Sequence, residues 1–574
     1  MGLDYTPFPK AEAVAPSEPV ASRWGRRIPR DVLIGVLLYA VAVLAVFWVP
    51  IGDPPWHQSW EDYAGYQFID AWVEHPDLRE IFRYTDGLAA DSARGPLIGP
   101  AMWVGYMIGG TGYAPLRAPL ALFCALAVPL LWRIARRVVP EDAAILAALL
   151  FALSPVWVFY ARNLTSTAAS LLPMLIAILG LFGVLQAVDW QSSRRSLLLL
   201  VLGLLATLYA YTPVRLIWPM AVVLLLASAL IYRRQWKRLA LSAAIAVVTI
   251  PVGLIVIDAL FSPAPSPRRA IAQLFSGANE QVLGMTSESV NFWLAPERQG
   301  TGIAGLIRQN VENSWNLLLN IGTRPVRTDY WNTHGRFWTM PFLIVALIGV
   351  ITLLWQAWKQ RSLIPLALLA ITAGLLVAPI FTSLVHLGRL VPAVPLLMIV
   401  VAAGAWGLGT LVAKAVQRLN IPFSVAVFRW MPMAATLVFA SAFFLSEVST
   451  PIGPTRQSRE ADTMAAEAPF SRRVGAAIVL DTTLGDAIEP IRMGAYRLAL
   501  GDDYLFLDDN RTPRDTGDRI PVRYFRTLPA LEDGAFGKPC NTMWFVQPEE
   551  QERFFAAYAR AGCEDTSNVF VMAQ

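Results

Sequence analysis

Two adjacent acids, Glu61 and Asp62, stand in the stretch WEDYAG (Trp60 to Gly65), a short way past the first long apolar run of the chain. Paired carboxylates can take up or give up a proton in a reaction. Taken alone, such a pair in a polar loop is usually only solvated, and Asp53, Asp70, Asp86 and Asp91 share the same segment. The histidines, which titrate near neutral pH, are His57, His75, His334 and His386, and each falls in a polar connection or at the edge of one. No Walker loop, zinc-ligand spacing, nucleophile elbow or dinucleotide fingerprint accompanies them. The chemistry therefore rests on side chains that the fold must gather from several connections.

The elements that do the gathering are membrane helices. The 574 residues are 55% hydrophobic and only 16% charged, with a mean hydropathy of +0.48; a soluble domain carries roughly a quarter of charged residues. Apolar runs long enough to cross a bilayer fall near 33–50, 115–133, 142–160, 164–187, 197–212, 216–232, 239–260, 338–356, 363–380, 389–413 and 430–447. The chain reads as an all-α polytopic membrane protein of about eleven transmembrane helices. Residues 1–30, rich in Pro, Ala and Glu, read as a disordered cytoplasmic tail, and 31–447 as the membrane body.

Basic residues mark the cytoplasmic side. Arg23, Arg26, Arg27 and Arg30 precede the first run, and alternate connections carry RIARR (Arg133 to Arg137), SRR (Ser193 to Arg195), RRQWKR (Arg233 to Arg238), KQR (Lys359 to Arg361), then Lys414, Arg418 and Arg429. The net charge of +5 is accounted for by these loops and makes no case for nucleic acid. The N-terminus is expected in the cytoplasm and the C-terminus outside, with the long loops 51–114 and 261–337 on the external face of the inner membrane. In the second loop, Ile303, Leu306, Ile307, Val311, Trp315 and Leu318 recur at helical spacing, which predicts an amphipathic helix lying on the membrane surface or packed on the body. After 447 the composition changes. Short β-prone runs at 474–480, 503–508, 542–547 and 568–573 alternate with helix-like stretches at 487–500 and 548–561, predicting a small external α/β domain over 448–574. Cys540 and Cys563 fall in that tail, where the compartment permits a disulfide.

The order of these features resembles the membrane-embedded C-superfamily of glycosyltransferases (GT-C), in particular the family of protein O-mannosyltransferases and the aminoarabinose transferase of lipid A. That family has adjacent acids in its first external loop, usually Asp-Glu followed by Tyr and a small residue. Here the loop reads WEDYAGYQFIDAW, with the acids in inverted order. The passage from RGPLIGPAMWV to VFYARNLT, ending near Arg162, is similar to the family's first loop and next two spans. GLLATLYAYTPVRLIWP, with Tyr211 and Arg215, resembles its fifth and sixth spans. RPVRTDYWNTHGRFW and APIFTSLVHLGRLVPAVPLL, with Arg327, His386 and Arg389, resemble its later external elements. The similarity covers about 31–415 and leaves out the C-terminal domain.

The resemblance implies an enzyme that moves a sugar from a polyprenyl-phosphate carrier to an envelope lipid, glycan or protein acceptor, by a single inverting displacement. It implies Glu61 or Asp62 as the base, and Arg162, Arg215, Arg327, His386 and Arg389 as the groups that bind the donor phosphate, for which an Arg fork is suited. A divalent metal is left open. Arginines at span ends also snorkel to the interface without any ligand. A transporter or flippase of lipid-linked sugars is the alternative, but such proteins commonly show repeated halves and mid-membrane charges, and neither is plain here. A non-catalytic assembly or sensor protein built around the C-terminal domain is the third reading.

Overall fold

The computed structural model describes residues 29–48, 95–110, 113–163, 166–209, 212–261, 302–319, 340–381, 387–419, 425–448, 476–479, 504–508, 520–525, 540, 542–546 and 551–571. The body begins with α1 (Arg30–Phe47), α2 (Gly95–Gly109), α3 (Tyr113–Ala125) and α4 (Ala127–Ala135). Next come α5 (Glu141–Ala152), α6 (Pro155–Arg162), the short α7 (Ser166–Ala169), α8 (Leu171–Gln186) and α9 (Trp190–Ala206). The rest of the body is α10 (Ile217–Ile231), α11 (Trp236–Phe261), α12 (Gly302–Leu319), α13 (Met340–Gln360), α14 (Ile364–Val377), α15 (Leu387–Leu390), α16 (Val394–Arg418) and α17 (Val425–Val448).

Among the described residues eight helices are long and apolar enough to cross a membrane, and the bent pair α5 and α6 makes a ninth. The shorter apolar Ile364–Ile380 and the 17-residue α9 account for the two remaining runs expected from the sequence. The run expected at 142–160 is not one straight helix. It breaks by 54° between Ala152 and Pro155, because a proline has no N–H to continue the ladder and stands well at the first position of a new helix. The first long polar segment also holds a helix the sequence reading did not name, α2. Its glycines Gly105 and Gly109 let α3 approach so closely that an added Cβ would strike Pro115.

Neighbouring helices lock in two further ways. α9 starts where Asp189 accepts a 2.7 Å hydrogen bond from the Ser192 N–H while the Ser192 hydroxyl reaches back to the Asp189 N–H, a reciprocal cap. α13 and α16 cross without a side chain between them. A Cβ on Gly349 would fall on the Val400 carbonyl oxygen, and one on Gly404 on that of Val345, the close approach that small residues permit between membrane helices. At the basic end, Arg136 pairs with Asp31 at 2.8 Å and Arg30 with Glu141 at 3.5 Å, tying α1 to the α4–α5 turn.

The C-terminal segment forms a five-stranded sheet, β1 (Ala476–Val479), β2 (Tyr504–Asp508), β3 (Ile520–Phe525), β4 (Met543–Val546) and β5 (Val569–Val571), ordered β2-β3-β1-β4-β5. Every pair is parallel. α18 (Gln551–Arg560) covers β4, burying Phe554, Ala557 and Tyr558 with Trp544 and Val546. Cys540 and Cys563 form a disulfide there. Four of the strands and α18 lie where the sequence patterns put them, whereas the expected helix over 487–500 lies outside the described residues.

Candidate active site

Three of the arginines singled out in the sequence are described, and all three lie at the end of the body opposite the basic loops. Arg162 is the last residue of α6, carried away from the basic end by α5 and its bent continuation, and is only 6% exposed. Asn163 closes the helix end by donating to the Phe159 carbonyl at 3.1 Å. Arg215 sits in the 3-10 turn Thr212–Leu216 between α9 and α10, half-buried, and donates to the Leu208 carbonyl at 3.1 Å. Arg389 lies in α15, half-buried, at the head of the helical run that continues into α16. Glu61, Asp62, Arg327 and His386 lie outside the described residues.

The structure adds a cation that the sequence reading passed over. Arg117, in the second turn of α3, is 2% exposed. A guanidinium is tolerated at such depth when it is paired or hydrogen-bonded. Short elements make contacts among the helix ends that carry these arginines. α7 touches α2, α3, α6 and the turn Val391–Ala393 that follows α15, while the turn holding Arg215 packs on the turn Ala378–Phe381 at the top of α14. An arrangement of arginines fixed on different helices can hold a phosphate by several charge-assisted hydrogen bonds at once. Among the described residues no group of three or more His, Cys, Asp or Glu is placed to hold a metal ion.

At the same end an apolar groove of about 330 Å³ runs between α13, α14 and α16. Ala346, Val350, Leu376 and Val400 line it, and Trp315 of α12 roofs it. Its one hydroxyl, on Thr372, is already bonded back to the Leu368 carbonyl at 2.8 Å, so the groove presents hydrocarbon only. α12 faces the body with polar residues. Asn310 and Ser314 are buried, whereas Val311 and Trp315 are 46% and 53% exposed. The amphipathic helix expected from the sequence thus exists, with Val311 and Trp315 turned outward.

The many-span helical body resembles that of GT-C-like membrane glycosyltransferases. Residues 93–255 match the family model of dolichyl-phosphate-mannose-protein mannosyltransferase. That stretch holds Arg117, Arg162 and Arg215; Glu61, Asp62, Arg327, His386 and Arg389 lie beyond it. Among solved structures, the chain is similar to archaeal oligosaccharyltransferase AglB from Archaeoglobus fulgidus in complex with an inhibitory peptide and a dolichol-phosphate (TM-score 0.47, 14% identity, 81% of this chain and 63% of that one). It is also similar to ArnT from Cupriavidus metallidurans bound to undecaprenyl phosphate (TM-score 0.47, 16% identity, 92% of this chain and 94% of that one). The chain spans less than two thirds of the AglB length. No curated protein matches the chain in sequence.

Proposed function

We propose that the protein transfers a sugar from a polyprenyl-phosphate carrier to an envelope acceptor on the external face of the inner membrane, its N-terminus in the cytoplasm and its C-terminus outside. The observation that carries this reading is the gathering of Arg117, Arg162, Arg215 and Arg389 at one membrane end, three of them inside the stretch whose family description names a lipid-phosphate-linked sugar. The arginines hold the carrier phosphate. The groove beneath Trp315 gives the carrier's hydrocarbon a path in the same half of the bilayer.

The reaction is a single inverting displacement. An acceptor hydroxyl gives its proton to the carboxylate of Glu61 or Asp62, its oxygen forms a bond to the anomeric carbon, and the bond from that carbon to the phosphate oxygen breaks. The electron pair stays on the departing phosphate. The guanidiniums face that growing charge in a place of low dielectric, where fixed donors stabilise a transition state more than they would in water.

Purified full-length protein given a polyprenyl-phosphate sugar tests the reading. Glu61→Gln or Asp62→Asn, whichever removes the base, should lower turnover roughly 10²–10⁴-fold with donor binding intact. Alanine at Arg162 or Arg389 should weaken donor binding as well, since the phosphate is charged before and during the reaction. Full activity in the double acid variant would return the lead to transport of lipid-linked sugars.

A further inference from the structure

We propose that the basic end of the bundle carries a binding surface for an anionic glycerophospholipid, built where the turn between α10 and α11 meets the turn between α13 and α14. It stands apart from the arginines assigned to the carrier phosphate and does not depend on that reading.

Two connections far apart in the sequence are joined there. The Tyr232 hydroxyl, just past the end of α10, donates to the Arg361 carbonyl at 3.4 Å, and α10 packs on α14. The junction sets Arg233, Arg234 and Lys237 on one turn beside Lys359 and Arg361 on the other, and all five are exposed. Residues 190–257 and 340–446 contain no Asp or Glu, so these turns bring no acid of their own. Asp189, at the same end, is engaged in capping α9. Around α1 the basic end is different, since Arg30 and Arg136 are paired there with Glu141 and Asp31.

Indole rings accompany the cations. Trp236 and Trp358 are 53% and 81% exposed, and the Lys237 ammonium stands 6.0 Å from the centroid of the Trp236 ring. Leu230 and Ile231, at the end of α10, are exposed as well. The surface thus offers hydrocarbon, then indole, then positive charge, which is the order of acyl chain, interface and phosphate in a bilayer lipid. An acidic peptide would use only the cations.

Arg361 is an independent sign. It follows α13 with φ at +50°, its N–H directed to the Trp358 carbonyl at 3.4 Å and the Ser362 N–H to that of Ala357 at 3.2 Å. Glycine is the usual residue at such a helix end, because a side chain is strained in the left-handed conformation. The chain keeps an exposed arginine there at some cost in stability.

The test is native mass spectrometry of the purified full-length protein equilibrated with equal amounts of phosphatidylglycerol and phosphatidylcholine. Wild type should retain phosphatidylglycerol preferentially. Near an anionic leaflet each Lys or Arg strengthens the attraction about fivefold, so Arg361→Gly should lower the affinity for phosphatidylglycerol about fivefold. Adding Arg233→Gln and Arg234→Gln should lower it about a hundredfold in all. Arg361→Gly should not lower the unfolding temperature, because glycine relaxes the left-handed position; a residue that served folding alone would not split the two readouts this way. Lysine at all three positions keeps the charge and should keep the lipid. No lipid preference in wild type, or an unchanged preference in the folded triple variant, overturns the inference. Displacement of the lipid by poly-glutamate overturns it too, and would mark the surface as one for acidic protein.

Discussion

Asn310 donates a 2.9 Å hydrogen bond to the carbonyl of Ile380, so α12 is fastened to the turn above α14 by its polar side while Trp315, five residues on, stays at the surface.

Asn310→Leu leaves the Ile380 carbonyl without that donor. Losing such a buried bond costs about 1–3 kcal/mol, and hydrogen exchange of the α12 amides should accelerate accordingly. Exchange unchanged across 302–319 would show that α12 is held by other means.

Tags placed at residue 10 and after residue 574 should report opposite sides of the membrane, since the basic loops alternate with the site end along the body. Both tags in the cytoplasm would put the arginine cluster on a face where the proposed external reaction could not occur.

The bridge between Cys540 and Cys563 closes 23 residues around β4 and α18, with Cys563 itself buried at 5% exposure. Closing a loop of that size removes enough unfolded-state freedom to contribute about 3 kcal/mol. Replacing both cysteines by serine should lower the unfolding temperature of the C-terminal domain and abolish the gel shift seen on reduction. Two freely alkylated thiols in unreduced wild type would refute this.

Asp189 is held below its ordinary value of 3.8, first by the backbone hydrogen bond from Ser192. A depressed carboxylate contributes stability above its ordinary value and loses it as pH falls through the lower folded value. Fraying at the start of α9 should therefore set in only on acidification below about pH 4. Asp189→Ala should fray at neutral pH and show no such step.

The membrane helices were legible because a span announces itself by length and hydropathy alone, and each of the eleven runs has a helical counterpart. What the sequence concealed depends on contacts between distant residues. α2, GPLIGPAMWVGYMIG, falls within the stretch read as the long loop 51–114 and is a helix whose glycines meet Pro115. β3 is broken by Pro521 and Arg523 and is held by pairing with β1 and β2. Arg117 sits inside an apolar run, away from the polar loops where reactive groups are usually sought, and only burial reveals it. Arg162, Arg215 and Arg389 were legible as span-end arginines, whereas the contacts among the short elements that carry them were not.

The bare crossing of Gly349 and Gly404 ties two walls of the groove together. Backbone meets backbone where α13 and α16 cross, both helices wall the groove, and the run of α16 begins at Gly388, beside Arg389. The groove and Arg389 are therefore joined by a single helical run, so one helix carries both the hydrocarbon-lined wall and the cation.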